Sequence, residues 1–183
     1  MKALGKTYSD AEASGMDFER LPAGGYIGVI TAVEDEVKKE YLSIVYDIAE
    51  GPKKGFYGDA WGKDHPYAHR LIASYKEKAL GMFKGRLKAI DESNGTDFVK
   101  AAVTGFDEQQ LVGKLVGLII GYEEYETDRG EIRERSYVKT ACSVEKIRSG
   151  NFTVPELKKL SPSAAVTSPV EGFQAINPED LPF

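Results

Sequence analysis

The sequence predicts an all-β barrel with one helix inserted into it. Three observations carry this expectation. Three runs rich in β-branched and aromatic residues fill the first third of the 183-residue chain. An apolar repeat with helical spacing follows, and two further strand-like runs joined by a hairpin signal come after it.

The segment 1–20 is mixed and polar and is expected to be a flexible N-terminal segment. Leu21-Pro22-Ala23-Gly24-Gly25 then forms a loop signal that announces a strand. Residues 26–33 (Tyr-Ile-Gly-Val-Ile-Thr-Ala-Val) read as strand one, and the polar stretch 34–39 turns the chain. In strand two, Leu42, Ile44, Tyr46 and Ile48 alternate with Tyr41, Ser43, Val45 and Asp47, so the strand carries two different surfaces. The cluster 50–55 (Glu-Gly-Pro-Lys-Lys-Gly) is a turn, and residues 56–61 read as a short third strand. Leu80, Phe83, Leu87 and Ile90 recur at spacings of three and four, which predicts a helix over 79–92 preceded by a weaker helical stretch at 66–78. Ser93-Asn94-Gly95 stops it. Strand character returns at 115–122 and at 133–144, with Thr127-Asp128-Arg129-Gly130-Glu131 as the hairpin loop. Three strands, a helix and two strands is the order of the OB-fold, a five-stranded Greek-key barrel with its helical segment between strands three and four. This domain is expected to span 21–160. Residues 161–176 lack apolar periodicity and read as a disordered linker, and 177–183 form an acidic tip.

Composition narrows the function. No apolar run reaches the roughly 20 residues of a membrane-spanning helix, nothing near Met1 resembles a secretory signal, and Cys142 is the single cysteine. A cytoplasmic protein with an inert buried thiol is expected. The formal net charge of −5 argues at first against phosphate binding. Its distribution answers this objection: residues 161–183 hold three acids and no Lys or Arg, whereas basic residues outnumber acidic ones over 38–88.

The chain ends Glu179-Asp180-Leu181-Pro182-Phe183. An aromatic ring, an α-carboxylate and flanking acids make a compact ligand for an apolar pocket with a basic rim. This ending resembles the acidic tip of bacterial single-stranded DNA-binding proteins, although only two adjacent acids precede the apolar residues here. The resemblance implies that these five residues bind replication or recombination proteins. The segments 21–26, 40–42, 46–51, 111–114 and 143–148 look like those of phage and prophage single-stranded DNA-binding proteins of Gram-positive hosts. That likeness covers roughly 20–160, rests on structural motifs, and implies the host-cell cytoplasm as the place of action.

An OB barrel holds a single strand by stacking bases on aromatics and tracking phosphates with basic residues. The stacking candidates are Tyr41, Phe56, Tyr57, Trp61, Tyr122 and Tyr125. The phosphate candidates are Lys38, Lys39, Lys53, Lys54, Arg129, Arg133 and Arg135. Strand aromatics also fill cores, and of Tyr41 and Tyr46 only one should be exposed, Tyr41 being favoured. Acids at 123, 124, 126, 128 and 131 dilute the hairpin arginines. His65 and His69 stand four apart without further ligands for a metal, and no catalytic constellation is discernible. The expected function is sequence-independent single-stranded DNA binding in phage replication or recombination, without enzyme activity, metal or cofactor, and with self-association into a homo-oligomer. The alternative is an adaptor that binds proteins and has little direct affinity for DNA.

Overall fold

The computed structural model describes residues 20–58 and 68–160. Trp61, the segment before Arg20, the linker and the acidic tip lie outside them. Five strands form one antiparallel open sheet in the order β3-β2-β1-β4-β5. They are β1 (Gly24–Glu36), β2 (Tyr41–Ile48), β3 (Arg70–Ser74), β4 (Leu115–Glu126) and β5 (Ile132–Cys142), and α1 (Leu80–Asn94) and the short α2 (Phe98–Ala101) lie between β3 and β4. A last helix, α3 (Val144–Arg148), follows β5.

β1 serves two partners. Its first half pairs with β4 and its second with β2. Opposite β2 the register slips between Ile30 and Ala32, an extra residue of the kind that bends a strand and increases its twist. The alternation read from β2 holds: Leu42, Ile44, Tyr46 and Ile48 are buried, and Tyr41, Val45 and Asp47 are half-buried. Ser43 departs from it, being 1% exposed and accepting a hydrogen bond from Arg70 at 3.3 Å.

The core lies between the sheet and α1. Ile30, Ile44, Ile48, Leu118 and Ile120 come from the sheet and meet Leu87 and Ile90 from the helix. Asn94 splices α1 to β4: its amide donates to the Leu115 carbonyl at 2.8 Å, and its oxygen accepts from the Leu115 N–H at 2.9 Å. Gly95 takes the left-handed conformation (φ 65°) that ends the helix, as the Ser-Asn-Gly stop predicts.

The third strand departs from the sequence reading. Residues 50–58 form consecutive turns, in which Gly51 and Gly55 adopt positive φ and the N–H groups of Lys54, Phe56 and Gly58 each bond a carbonyl three residues back. The strand is instead Arg70–Ser74, inside the stretch read as weakly helical. Leu71 and Ala73 face the core while Arg70 and Ile72 point away, the period-two pattern of a half-buried strand. β5 also ends at Cys142, before the predicted limit, because α3 begins at Val144.

Beyond β5 the chain runs back over the outer face of β4. A Cβ on Gly117 would sit 2.7 Å from the Ser143 carbonyl oxygen, and one on Gly121 would sit 2.9 Å from Pro155. The Phe152 ring fills the space over Gly25. Lys158 then bridges in parallel to Glu123, its N–H donating to the Tyr122 carbonyl and its carbonyl accepting from the Glu124 N–H, both at 2.9 Å.

Candidate nucleic-acid interface

β4 is longer than its pairing with β1. That pairing stops at Ile120, whereas the pairing with β5 continues to Glu126 opposite Ile132. The last part of the β4–β5 hairpin therefore projects past β1 as a ribbon, whose β4 edge carries, among the described residues, only the Lys158 bridge. Between this ribbon and the free edge of β3 runs a cleft of about 1640 Å³, walled also by Phe56 and Tyr57 from the turns after β2 and by Arg86 from α1.

Two faces of the ribbon carry different groups, because residues directly opposite in a ladder share a face. Ile120 opposite Val138 points to the core, so Tyr122, Glu124, Glu134 and Ser136 lie on that side. Glu123, Tyr125, Arg133, Arg135 and Tyr137 lie on the other. Each face holds an arginine between a ring and a carboxylate. On the inner face Arg20 donates to Glu134 at 2.9 Å and stands 6.0 Å from the Tyr122 ring centre. On the outer face Arg135 donates to Glu123 at 2.8 Å and stands 5.2 Å from the Tyr125 ring centre. The Tyr122 hydroxyl is anchored on the Leu21 carbonyl.

The cleft wall contains five arginines (Arg20, Arg70, Arg86, Arg133 and Arg135) against three glutamates (Glu123, Glu124 and Glu134). It is therefore locally basic in a chain of net charge −5. Arg20, Arg133 and Arg135 are held by carboxylates but are about 60% exposed, and such surface pairs contribute only about 0–1 kcal/mol each. The carboxylates of Glu134 and Glu131 are themselves open to solvent, so a competing anion displaces them at little cost, whereas Glu123, 18% exposed and shared with Lys158, holds Arg135 more firmly. Arg86 is fixed more firmly, donating to the Ile72 carbonyl at 2.6 Å, and its burial lowers its pKa. Burial raises the pKa of Tyr122, Arg20 partly offsets that, and Glu134 adds to it, so the ring stays neutral and can stack. The Glu123 carboxyl is held below its usual value by its hydrogen bond from Arg135 and, more weakly, by Lys158.

Of the residues proposed from the sequence, Phe56, Tyr57, Tyr122, Tyr125, Arg133 and Arg135 come together in this cleft. Tyr57 is only 5% exposed and stacks on His69 with ring centres 4.9 Å apart, so its ring is committed to the core. Lys38 and Lys39 sit in the turn between β1 and β2, and Tyr41 is half-buried at the start of β2. Lys53 and Lys54 lie on the turns that deliver Phe56, and Arg129 sits at the hairpin tip. None of these six lines the cleft. Arg20, Arg70, Arg86 and Tyr137 do, and were not singled out. Reading 70–74 as an alternating strand would have turned Arg70 outward, and Arg86 stands off the apolar face of its helix. Among the described residues no group of three or more His, Cys, Asp or Glu could hold a metal ion, and no helix is long and apolar enough to cross a membrane. No protein-family model matches the chain, and no curated protein is similar to it in sequence.

Proposed function

We propose that this chain binds single-stranded DNA without sequence preference, in the cleft between β3 and the β4–β5 ribbon of an OB-like barrel. The observation that carries the reading is the gathering of five arginines with the half-buried rings of Phe56, Tyr122, Tyr125 and Tyr137 along one open seam. Arginines track a phosphate backbone, while neutral tyrosine and phenylalanine faces accept any base. Pairing of the same strand into a duplex would bury its base faces, so the cleft favours the single strand. In this reading the chain is a cytoplasmic, non-catalytic replication or recombination protein of phage type. Its last five residues recruit partner proteins.

The test is a fluorescence-polarisation titration of labelled oligo-dT and a matched duplex with the full-length chain at two salt concentrations. Single-strand binding that weakens steeply with salt, with little duplex binding, is the expected result. Absence of single-strand binding at low salt would overturn it. A protein-binding adaptor would then be the better account, favoured by the carboxylates that already occupy Arg20, Arg133 and Arg135.

A further inference from the structure

Glu134 and Glu124 stand directly opposite one another in the β4–β5 ladder. Opposed residues share a face, and like charges so placed destabilise a sheet. Both side chains line the cleft, and each is met by a group from outside the ribbon. Glu124 accepts from the Leu160 N–H at 3.0 Å and pairs with no cation among the described residues. Glu134 holds Arg20, 114 residues away in sequence, at 2.9 Å, and the same guanidinium faces the Tyr122 ring. A base laid on Tyr122 carries its phosphate toward that guanidinium, where the carboxylate already sits.

We propose that Glu134 is a built-in stand-in for a DNA phosphate: it occupies Arg20 when no strand is bound and yields it when one binds, so that it holds the affinity of the cleft down. The proposal rests on the single-strand reading of the cleft. Stability does not account for the residue. Its pair with Arg20 is exposed on both sides and adds little to folding, whereas its charge opposite Glu124 works against the pairing of the strands. A residue that breaks the local rule of its element is expected at a functional site. The other carboxylates that hold cleft arginines are arranged differently. Glu123 stands opposite Arg135 in the ladder, a favourable cross-strand pair, and keeps Lys158 whatever Arg135 does. Glu131 meets Arg133 only two positions along the chain, so that pair moves as one. Of the three, only Glu134 draws its arginine from a distant part of the chain. It also recaptures Arg20 as a strand leaves, which shortens the residence of the complex.

Fluorescence-polarisation titration of labelled oligo-dT with the full-length chain at low salt tests this, comparing the wild type with Glu134→Gln, Glu124→Gln, Arg20→Ala and the double variant of Arg20→Ala with Glu134→Gln. Glutamine keeps the shape and still accepts a hydrogen bond from Arg20, so only the charge is removed. Glu134→Gln should bind about two- to fivefold more tightly, chiefly through slower dissociation. Glu124→Gln removes the same charge from the same face and should gain less. The gain should vanish once Arg20 is replaced, because two substitutions acting through one contact are not additive. Urea unfolding of each variant controls for folding. Unchanged or weaker binding by Glu134→Gln would overturn the inference, weaker binding making Glu134 a positioning residue for Arg20. So would a gain that Glu124→Gln matches or that survives Arg20→Ala. Absence of oligo-dT binding by the wild type and every variant would instead remove the single-strand reading itself, and this inference with it.

Discussion

Single residues decide how closely the last segment can lie on the sheet. Gly117 admits the Ser143 and Cys142 carbonyls at distances that no real Cβ would tolerate, and backbone cannot rotate aside as a side chain can. Gly117→Ala should therefore cost about 1–3 kcal/mol, measured as a lower denaturation midpoint with an unchanged slope. Glu123 works electrostatically, between Arg135 at 2.8 Å and Lys158 at 3.3 Å. Its pKa is lowered from 4.5 in the folded chain. The stability it contributes is thus fully present above about pH 4.5 and is lost as pH falls through the lower folded value. Glu123→Gln should flatten the decline of stability in that acid window while leaving its slope near neutrality unchanged, as followed by urea unfolding at a series of pH values.

At the scale of elements, four strands and the long helix were legible: β2 and α1 carry the period of their element, and β1, β4 and β5 hold runs of β-branched and aromatic residues. β3 was not. It has five residues, too few for a period to stand out, and its Leu, Ala and Arg also suit a helix. Phe56 and Tyr57 had the composition of a strand, but Gly51 and Gly55 force turns around them, and Tyr57 reaches the core from a loop. The candidate site was about half legible for the same reason. Residues on the correctly read hairpin met in the cleft, whereas Arg70 and Arg86 depend on where β3 and α1 lie in space. The ribbon makes its own prediction. Arg135 is 61% exposed on the cleft wall, so in the proposed reading Arg135→Ala should weaken oligo-dT binding and reduce the slope of log affinity against log salt by about 0.7, with duplex binding little altered.

Across the whole molecule, charge is divided more sharply than the total of −5 suggests. The cleft is basic, and the three acids beyond Leu160 stand apart from any base in sequence. Net charge alone would have ranked nucleic acid low among possible partners. In the proposed reading its placement matters more than its sum, since a polyanion senses the local field of the seam within a Debye length of about 10 Å at 0.1 M salt.

The parallel bridge between Lys158 and Glu123 also has a mechanical meaning. Leu160 donates its N–H to the Glu124 carboxylate, so traction on the chain beyond it enters the domain at the ribbon that walls the cleft. Pull directed away from the sheet would unzip the Lys158 contacts one at a time, under low force. Pull directed along β4 would load those bonds together with the seat of Pro155 over Gly121, and the anchorage would hold. A partner that grips the C-terminal residues could therefore tug the cleft wall or leave it at rest, according only to the direction from which it pulls.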